Sequence, residues 1–334
     1  MLRYALRRIG LMIPTLVGLS VLLFVWVRLL PGGPERGLVP PGASPDDIDR
    51  ISAVYGFDEP IHVQFLTYVK ALASGDFGLS IRTNDPVFSS FFDRLPATIE
   101  LTVCALVLAT VIGIPLGYVA GRRQGSWLDS AVVSASLVGV VTPVFVLAIG
   151  LKYVFPLELG LFFTQGRESR GSQNEHPTGF YLLDGIITGN LDAFTDATMH
   201  LVLPSVALAS IPLAIIVRIT RAAVSEVIHE DYVRTAQAKG LAASVITRRH
   251  VLRNAMLPVI TTVGLQLGLL LSGAVLTETV FSINGIGSYL FDAIGNRDYP
   301  VLQGYIVFIA LMYALVNLAV DLSYGIIDPR VRVP

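Results

Sequence analysis

Six long runs without charged residues dominate this sequence. Each run is close to or above the roughly 20 residues that a helix needs to cross a hydrocarbon core of about 30 Å. The alternating apolar and polar pattern of a membrane barrel is absent, so the runs predict helices. The six predicted spans are Ile9–Val27, Leu101–Gly121, Ser130–Leu151, Ala197–Val217, Asn254–Thr277 and Tyr299–Val320.

Composition excludes a soluble globular protein. Hydrophobic residues make up 53% of the 334 residues and charged residues only 15%, whereas soluble domains carry about 25% charged residues. The first span follows Arg3, Arg7 and Arg8 and so resembles a signal peptide. It is longer than a signal core, and no small-residue cleavage site follows it, which predicts a retained helix.

The distribution of lysine and arginine predicts the orientation of the chain. With the N-terminus in the cytoplasm, fourteen of the 24 basic residues lie in short cytoplasmic segments. Both termini are then cytoplasmic, residues 31–96 and 156–196 are extracytoplasmic, and residues 222–256 are the one long cytoplasmic segment. The fourteen are Arg3, Arg7, Arg8, Arg122, Arg123, Arg218, Arg221, Arg234, Lys239, Arg248, Arg249, Arg253, Arg330 and Arg332.

The sequence lacks the common motifs of catalysis and of metal or nucleotide binding. No glycine precedes Lys70, Lys152 or Lys239, which excludes a P-loop. The five histidines are scattered, and Cys104 is the one cysteine, expected to be a small buried apolar residue. We therefore expect no enzyme activity, no metal site and no cofactor in this chain, and nothing in its charge suggests nucleic acid as a partner.

Ionisable residues lie near the ends of the spans and not at their centres. A proton-coupled transporter usually carries such residues in mid-membrane, so we expect transport energy to come from another chain. Glu100, Glu278 and Asp298 fall near the predicted outer face. They could meet the amino terminus of a peptide or a metal there, and a structural role is the alternative.

The long cytoplasmic segment predicts a helical hairpin. A short helix covers Glu230–Gly240, with an acidic start that suits the helix dipole and a glycine that suits its end. A second helix follows from about Ala242, and Val245, Ile246, Arg249, Leu252 and Met256 share one face at helical spacing. On physical grounds the hairpin is either a simple connection or a docking element for a cytoplasmic partner.

The segment resembles the coupling loop, or EAA loop, of ABC-importer permeases. Arg234-Thr235-Ala236 stands at the position of Glu-Ala-Ala, Gly240 is the glycine of that motif, and Leu257-Pro258 is its closing pair. The dipeptide, oligopeptide and nickel branch is most similar, above all its dipeptide permeases. Gly75-Asp76-Phe77-Gly78, Leu276–Ser282 and Asp328-Pro329-Arg330 match this branch, whereas Gly33 in Pro31–Pro34 and the pair Ile283-Asn284 depart from it.

The resemblance implies an all-α membrane protein with six transmembrane helices, a type I ABC-importer transmembrane domain. An N-terminal helix (1–30) and an extracytoplasmic segment (31–96) then precede a five-helix core (97–329). It implies a permease subunit that imports dipeptides or short oligopeptides across a bacterial or archaeal cytoplasmic membrane by alternating access. Nickel complexes, glutathione and oligosaccharides stay open as cargo, and an ATPase-independent transporter or channel is the remaining alternative.

The resemblance also implies the partners of the chain. These are a homologous second permease, two cytoplasmic ABC ATPases that bind ATP and magnesium, and an extracytoplasmic substrate-binding protein. The implied ATPase-contact residues are Arg234, Thr235, Ala236, Lys239, Gly240 and Leu241.

Overall fold

A computed structural model describes residues 2–29, 39, 43–172 and 174–327 of the chain. Within these residues every regular element is a helix, as predicted, and there is no β-strand. The predicted motifs Pro31–Pro34 and Asp328–Arg330, and the predicted cytoplasmic Arg330 and Arg332, lie outside the described residues. The elements are α1 (Leu2–Leu29), α2 (Pro45–Tyr55), α3 (Ile61–Ser74), α4 (Val87–Arg122), α5 (Trp127–Val141), α6 (Val144–Lys152), a π-helix (Tyr153–Glu158), α7 (Tyr181–Ile187), α8 (Leu191–Val227), α9 (Asp231–Ala238), α10 (Ala243–Val245), a second π-helix (Ile246–Leu252), α11 (Arg253–Gly273), α12 (Val275–Phe281), α13 (Ile286–Asn296) and α14 (Tyr299–Ile327).

Five helices of the described chain are long and apolar enough to span a membrane, and the number is six if one bent pair of helices forms a single span. The five lie in α1, α4, α8, α14 and the stretch from α10 into α11. The predicted third span, Ser130–Leu151, is not one helix: α5 and the helix that begins at Val144 meet at 96°. Thr142 is extended and Pro143 follows it, because a proline disfavours helical backbone in the residue before it.

The predicted fifth span also divides. Helix α11 ends at Gly273, and α12 begins at Val275 after Ala274. Beyond this break Thr277 and Glu278 are fully buried. The end of the predicted span is therefore a separate short helix, α12, packed into the protein.

Helix α8 is the central element of the bundle, since 67% of its most apolar window is buried. Helix α4 packs along it through three glycines spaced four residues apart. A Cβ atom on Gly113, Gly117 or Gly121 would lie 3.0, 2.6 and 2.6 Å from the nearest atom of α8. Small residues at this spacing let two membrane helices approach closely.

The remaining elements lie at the two ends of the bundle. Residues 43–86, 159–172, 174–190 and 282–298, with α2, α3, α7 and α13, lie at one end, called here the α7 end. Helix α9 and the segment 239–252 lie at the other, the α9 end. Cys104 of α4 is half-buried and packs against the main apolar core, so the expectation of a buried apolar cysteine is met in part.

Candidate functional site

The hairpin at the α9 end begins with the predicted short helix. Glu230 is the extended residue before α9, and Asp231 lies in the first turn, where a carboxylate interacts favourably with the helix dipole. The helix ends at Ala238, and Gly240 adopts a left-handed conformation with φ +72°. A residue with a Cβ atom is strained in this conformation. The predicted helix and its glycine stop are confirmed.

One face of α9 is packed into the protein. Val233 and Ala236 are buried and join a cluster with Ala223 and Val224 of α8 and with Ile246, Val251 and Ala255. We call these seven residues the coupling cluster. The hydroxyls of Tyr118 on α4 and Thr247 lie 3.2 Å apart in a hydrogen bond. The hairpin is thus fixed to α4, α8 and α11.

The predicted face of the second helix is only partly correct, since Ile246 on that face is buried. Arg249 and Val245 are exposed, and the buried positions are Ile246, Val251 and Ala255. Residues 246–252 form a π-helix, in which hydrogen bonds join residues five apart instead of four. The buried face therefore advances by five residues from Ile246 to Val251 and by four thereafter.

The structure places five of the six predicted ATPase-contact residues on the surface. Arg234, Thr235, Lys239, Gly240 and Leu241 are exposed. Ala236 is instead 4% exposed and belongs to the coupling cluster, so its methyl group faces the chain's own core. The exposed face of α9 carries charged and hydroxyl groups, with Arg234 3.7 Å from Asp231.

Glu100, one of the three predicted outer carboxylates, is buried and fully engaged within the chain. Its Oε2 lies 2.5 Å from the Arg167 guanidinium, and its Oε1 accepts a hydrogen bond from the Leu182 backbone N–H at 2.7 Å. These bonds fasten the loop before α7 to α4. In this conformation the carboxylate has no open face toward a ligand.

Glu278 lies in α12 and is completely buried. It accepts hydrogen bonds from the Thr98 hydroxyl at 2.6 Å and from the Ser288 N–H at 2.8 Å. The backbone N–H of Ile286 donates to the same Thr98 hydroxyl. A buried carboxylate needs such donors, and here they join α4, α12 and α13.

Asp298 connects two loops at the α7 end. It is 4% exposed and accepts a 2.6 Å hydrogen bond from the Ser80 hydroxyl. It also lines a small cavity of about 200 Å³ with Arg82, Tyr289 and Asn296.

A second set of polar contacts at the α9 end escaped the sequence reasoning. Asp129 at the start of α5 forms a bidentate pair with Arg221 of α8 and also accepts from the Gly125 N–H at 3.0 Å. Ser225 donates to Gln124 nearby. The signal in the sequence was an aspartate at the start of an apolar span and an arginine at the end of another, but the pairing depends on the fold.

No group of three or more histidine, cysteine, aspartate or glutamate side chains in the described residues could hold a metal ion.

Comparison with known proteins identifies the family. Residues 113–333 match the profile of the family described as binding-protein-dependent transport system inner membrane component, and residues 1–102 match the profile of its N-terminal region. The chain belongs to this family. It is a multi-pass inner membrane protein with a transport function.

Two curated relatives match almost the whole chain. The dipeptide transport system permease protein DppB of Alkalihalophilus pseudofirmus is 45% identical over 99% of this chain and 100% of its own length. The protein of the same name from Escherichia coli strain K12 is 44% identical, with 99% of each chain covered.

A solved structure of the methionine ABC transporter MetNI, described as inward facing, shares the fold. Its TM-score is 0.51 at 17% identity, with 70% of this chain and 93% of that chain covered. Together with the family match, this likeness shows the predicted fold class, a type I ABC-importer transmembrane domain.

Proposed function

We propose that this chain is the permease subunit of an ATP-driven importer that moves dipeptides or short oligopeptides across the membrane by alternating access. The observation that carries the proposal is the 44–45% identity, over 99% of the chain, to two permeases named for dipeptide transport.

The proposed assembly has five chains. This permease pairs with a homologous second permease, two ABC ATPases bind at the α9 end, and a substrate-binding protein delivers cargo at the α7 end. The ATPases hold ATP and magnesium, which fits a sequence without a P-loop lysine. The bias of lysine and arginine supports an orientation with the α9 end and both termini in the cytoplasm of a bacterial or archaeal cell.

The coupling cluster supplies the mechanical link in this proposal. The exposed face of α9 meets the ATPase, while Val233 and Ala236 on the opposite face contact α8 and the start of α11. Close-packed interiors have low compressibility and transmit displacement. A movement of the ATPases would therefore shift α9 together with α8 and α11, and so switch the side on which the path is open.

Transport by the reconstituted complex tests the function. The chain is co-expressed with the candidate second permease, ATPases and binding protein, and the purified complex is placed in liposomes with ATP inside. We expect uptake of labelled dipeptide that requires ATP and the binding protein. Uptake by this chain alone, or selective uptake of nickel complexes, glutathione or oligosaccharide in place of peptide, would contradict the proposal.

Two variants at Gly240 separate backbone conformation from docking. A Cβ atom there meets no heavy atom of the described residues within 4 Å, so within this chain only the left-handed backbone restricts the position. Asparagine tolerates that conformation better than other residues with a side chain. We expect Gly240→Asn to keep the thermal stability of the permease but to reduce substrate-stimulated ATP hydrolysis and uptake together.

A Gly240→Val variant serves as the strained comparison and should lose stability as well. Normal uptake and normal stimulation of ATP hydrolysis in Gly240→Asn would remove Gly240 from the ATPase contact without affecting the assignment as a permease.

A further inference from the structure

One histidine ring at the α7 end is enclosed by charged and aromatic groups. His176 Nε2 lies 3.0 Å from Glu168 Oε2. Its ring stacks on Tyr181 at 3.5 Å between centroids and 6° between planes. The Arg167 guanidinium lies 3.7 Å from the centroid of the same tyrosine ring, so it must occupy the opposite face. We call Arg167, Glu168, His176, Tyr181 and Asp184 the His176 clamp.

The second ring nitrogen is in an unusual position. His176 Nδ1 lies 3.9 Å from Asp184 Oδ2. Both atoms are buried, and neither has a hydrogen-bond partner in the part of the chain that the structure describes. The other oxygen of Asp184 accepts two hydrogen bonds from Thr178, from the N–H at 3.1 Å and from the hydroxyl at 2.6 Å.

Two unpaired acceptors that face each other are unfavourable. When Nε2 carries the imidazole hydrogen for Glu168, Nδ1 has only a lone pair, and an ionised Asp184 has only lone pairs as well. Leaving both atoms buried and unpaired costs free energy. One additional proton between them converts the repulsive pair into a charge-assisted hydrogen bond.

The surrounding charges favour that proton. The positive charge of Arg167 is engaged by Glu100, so Glu168 and Asp184 leave the clamp with excess negative charge when His176 is neutral. Burial raises the pKa of Glu168, but hydrogen bonds from Ser172 and His176 outweigh it and hold that pKa below its usual range. Burial raises the pKa of Tyr181, which keeps the phenol neutral. Two further titratable groups, Asp196 and His200 of α8, form a pair beside this segment. Asp196 also accepts a hydrogen bond from the Ser169 hydroxyl.

We propose that a proton operates the His176 clamp. Uptake of one proton between His176 Nδ1 and Asp184 Oδ2 fixes residues 167–172 and 174–184 against the bundle. These residues are already fastened to α4 through Glu100 and to α8 through the contact of Ser169 with Asp196. The proton-bound state is the ordered one. Order is therefore present at low pH and is lost as pH rises.

Hydrogen–deuterium exchange tests the clamp in the full-length permease in nanodiscs. Exchange of peptides covering residues 167–184 is measured at about pH 5.5 and about pH 8.5, on either side of the histidine range, with labelling times corrected for chemical exchange. We expect roughly tenfold or stronger protection at the lower pH, the scale of one charged hydrogen bond. Equal corrected protection at both values would overturn the proposal, whatever the transported substrate is.

Two substitutions make the test specific. His176→Gln cannot take up the proton, so protection should be weak and independent of pH. In Asp184→Asn the amide can donate to Nδ1 while its oxygen still accepts from Thr178, so protection should be strong at both values. His62→Gln, at an exposed histidine of α3, is the matched control and should keep the wild-type pH dependence. A wild-type pH response in either clamp variant would also refute the proposal.

Discussion

At Gly285 the local geometry requires glycine because of space and not because of backbone conformation. Its φ of −102° and ψ of −174° suit any residue. A Cβ atom there, however, would lie 2.5 Å from the carboxyl carbon of Glu278. That carboxylate is fully buried and holds Thr98 and Ser288, so nothing near it can yield without breaking a hydrogen bond.

We therefore expect Gly285→Ala to destabilise the protein by about 1–3 kcal/mol, since it leaves buried donors unpaired. Thermal unfolding of the detergent-solubilised permease measures the loss. Gly295→Ala is the control: this glycine lies in helix α13, and an added Cβ meets no described heavy atom within 4 Å. Alanine should stabilise that helix by about 0.5–1 kcal/mol. Equal unfolding temperatures for the two variants would contradict the argument.

At the scale of the element, local signals predicted where several helices begin and end, but not how spans bend. Gly240 follows α9, as the sequence predicted, and Ser44 caps α2 in a capping box. The position of a proline did not by itself predict where a span bends. Pro115, Pro204 and Pro212 lie inside continuous helices, whereas Pro143 follows a break with a 96° bend. Neighbouring helices decide which prolines are tolerated, and a single sequence does not contain that information.

The buried face of the second helix of the hairpin was predicted only in part, for a related reason. A count at 3.6 residues per turn assumes an α-helix, and no residue in Ile246–Leu252 announces a π-helix. The partners of the carboxylates could not be predicted because they are distant along the chain. Glu278 and Asp298 bind groups 180 and 218 residues away, so their positions near the span ends were predictable and their structural partners were not.

Two valines six residues apart test the π-helical phase. Val251 is 4% exposed within the coupling cluster, and Val245 is 41% exposed. We expect Val251→Ala to cost about 1.5–3 kcal/mol of stability through lost burial and the cavity left behind. The control, Val245→Ala, should change stability by less than about 0.5 kcal/mol. Chemical denaturation in detergent measures the stability of both variants. A larger loss for Val245→Ala than for Val251→Ala would contradict the π-helix and support a uniform α-helical face.

At the scale of the whole molecule, α4 and α8 form one column that joins the two ends of the bundle. Gly113, Gly117 and Gly121 bring the two backbones into direct contact. At the α9 end the column carries the coupling cluster through Val224. At the α7 end it carries the loops through Thr98 and Glu100. Displacement of α9 should therefore reach the α7 end through rigid helix packing and not through a flexible connection.

Gly117→Ala tests this column at its tightest point. The new Cβ would lie 2.6 Å from the Cβ of Thr220 and 2.7 Å from the carbonyl oxygen of Val217, so the helices must separate. Overpacking of this kind costs about 1–3 kcal/mol, and we expect uptake and substrate-stimulated ATP hydrolysis by the assembled transporter to fall along with the unfolding temperature.

Gly150→Ala in α6 is the matched control, because an added Cβ there meets no atom of the described residues within 4 Å. It introduces the same methyl group into a helix outside the column, and both uptake and unfolding temperature should stay at wild-type values. If Gly117→Ala transported and unfolded as the wild type does, α4 and α8 would be free to slide. Movement of α9 would then have to reach the α7 end through α11, the other helix that contributes to the coupling cluster.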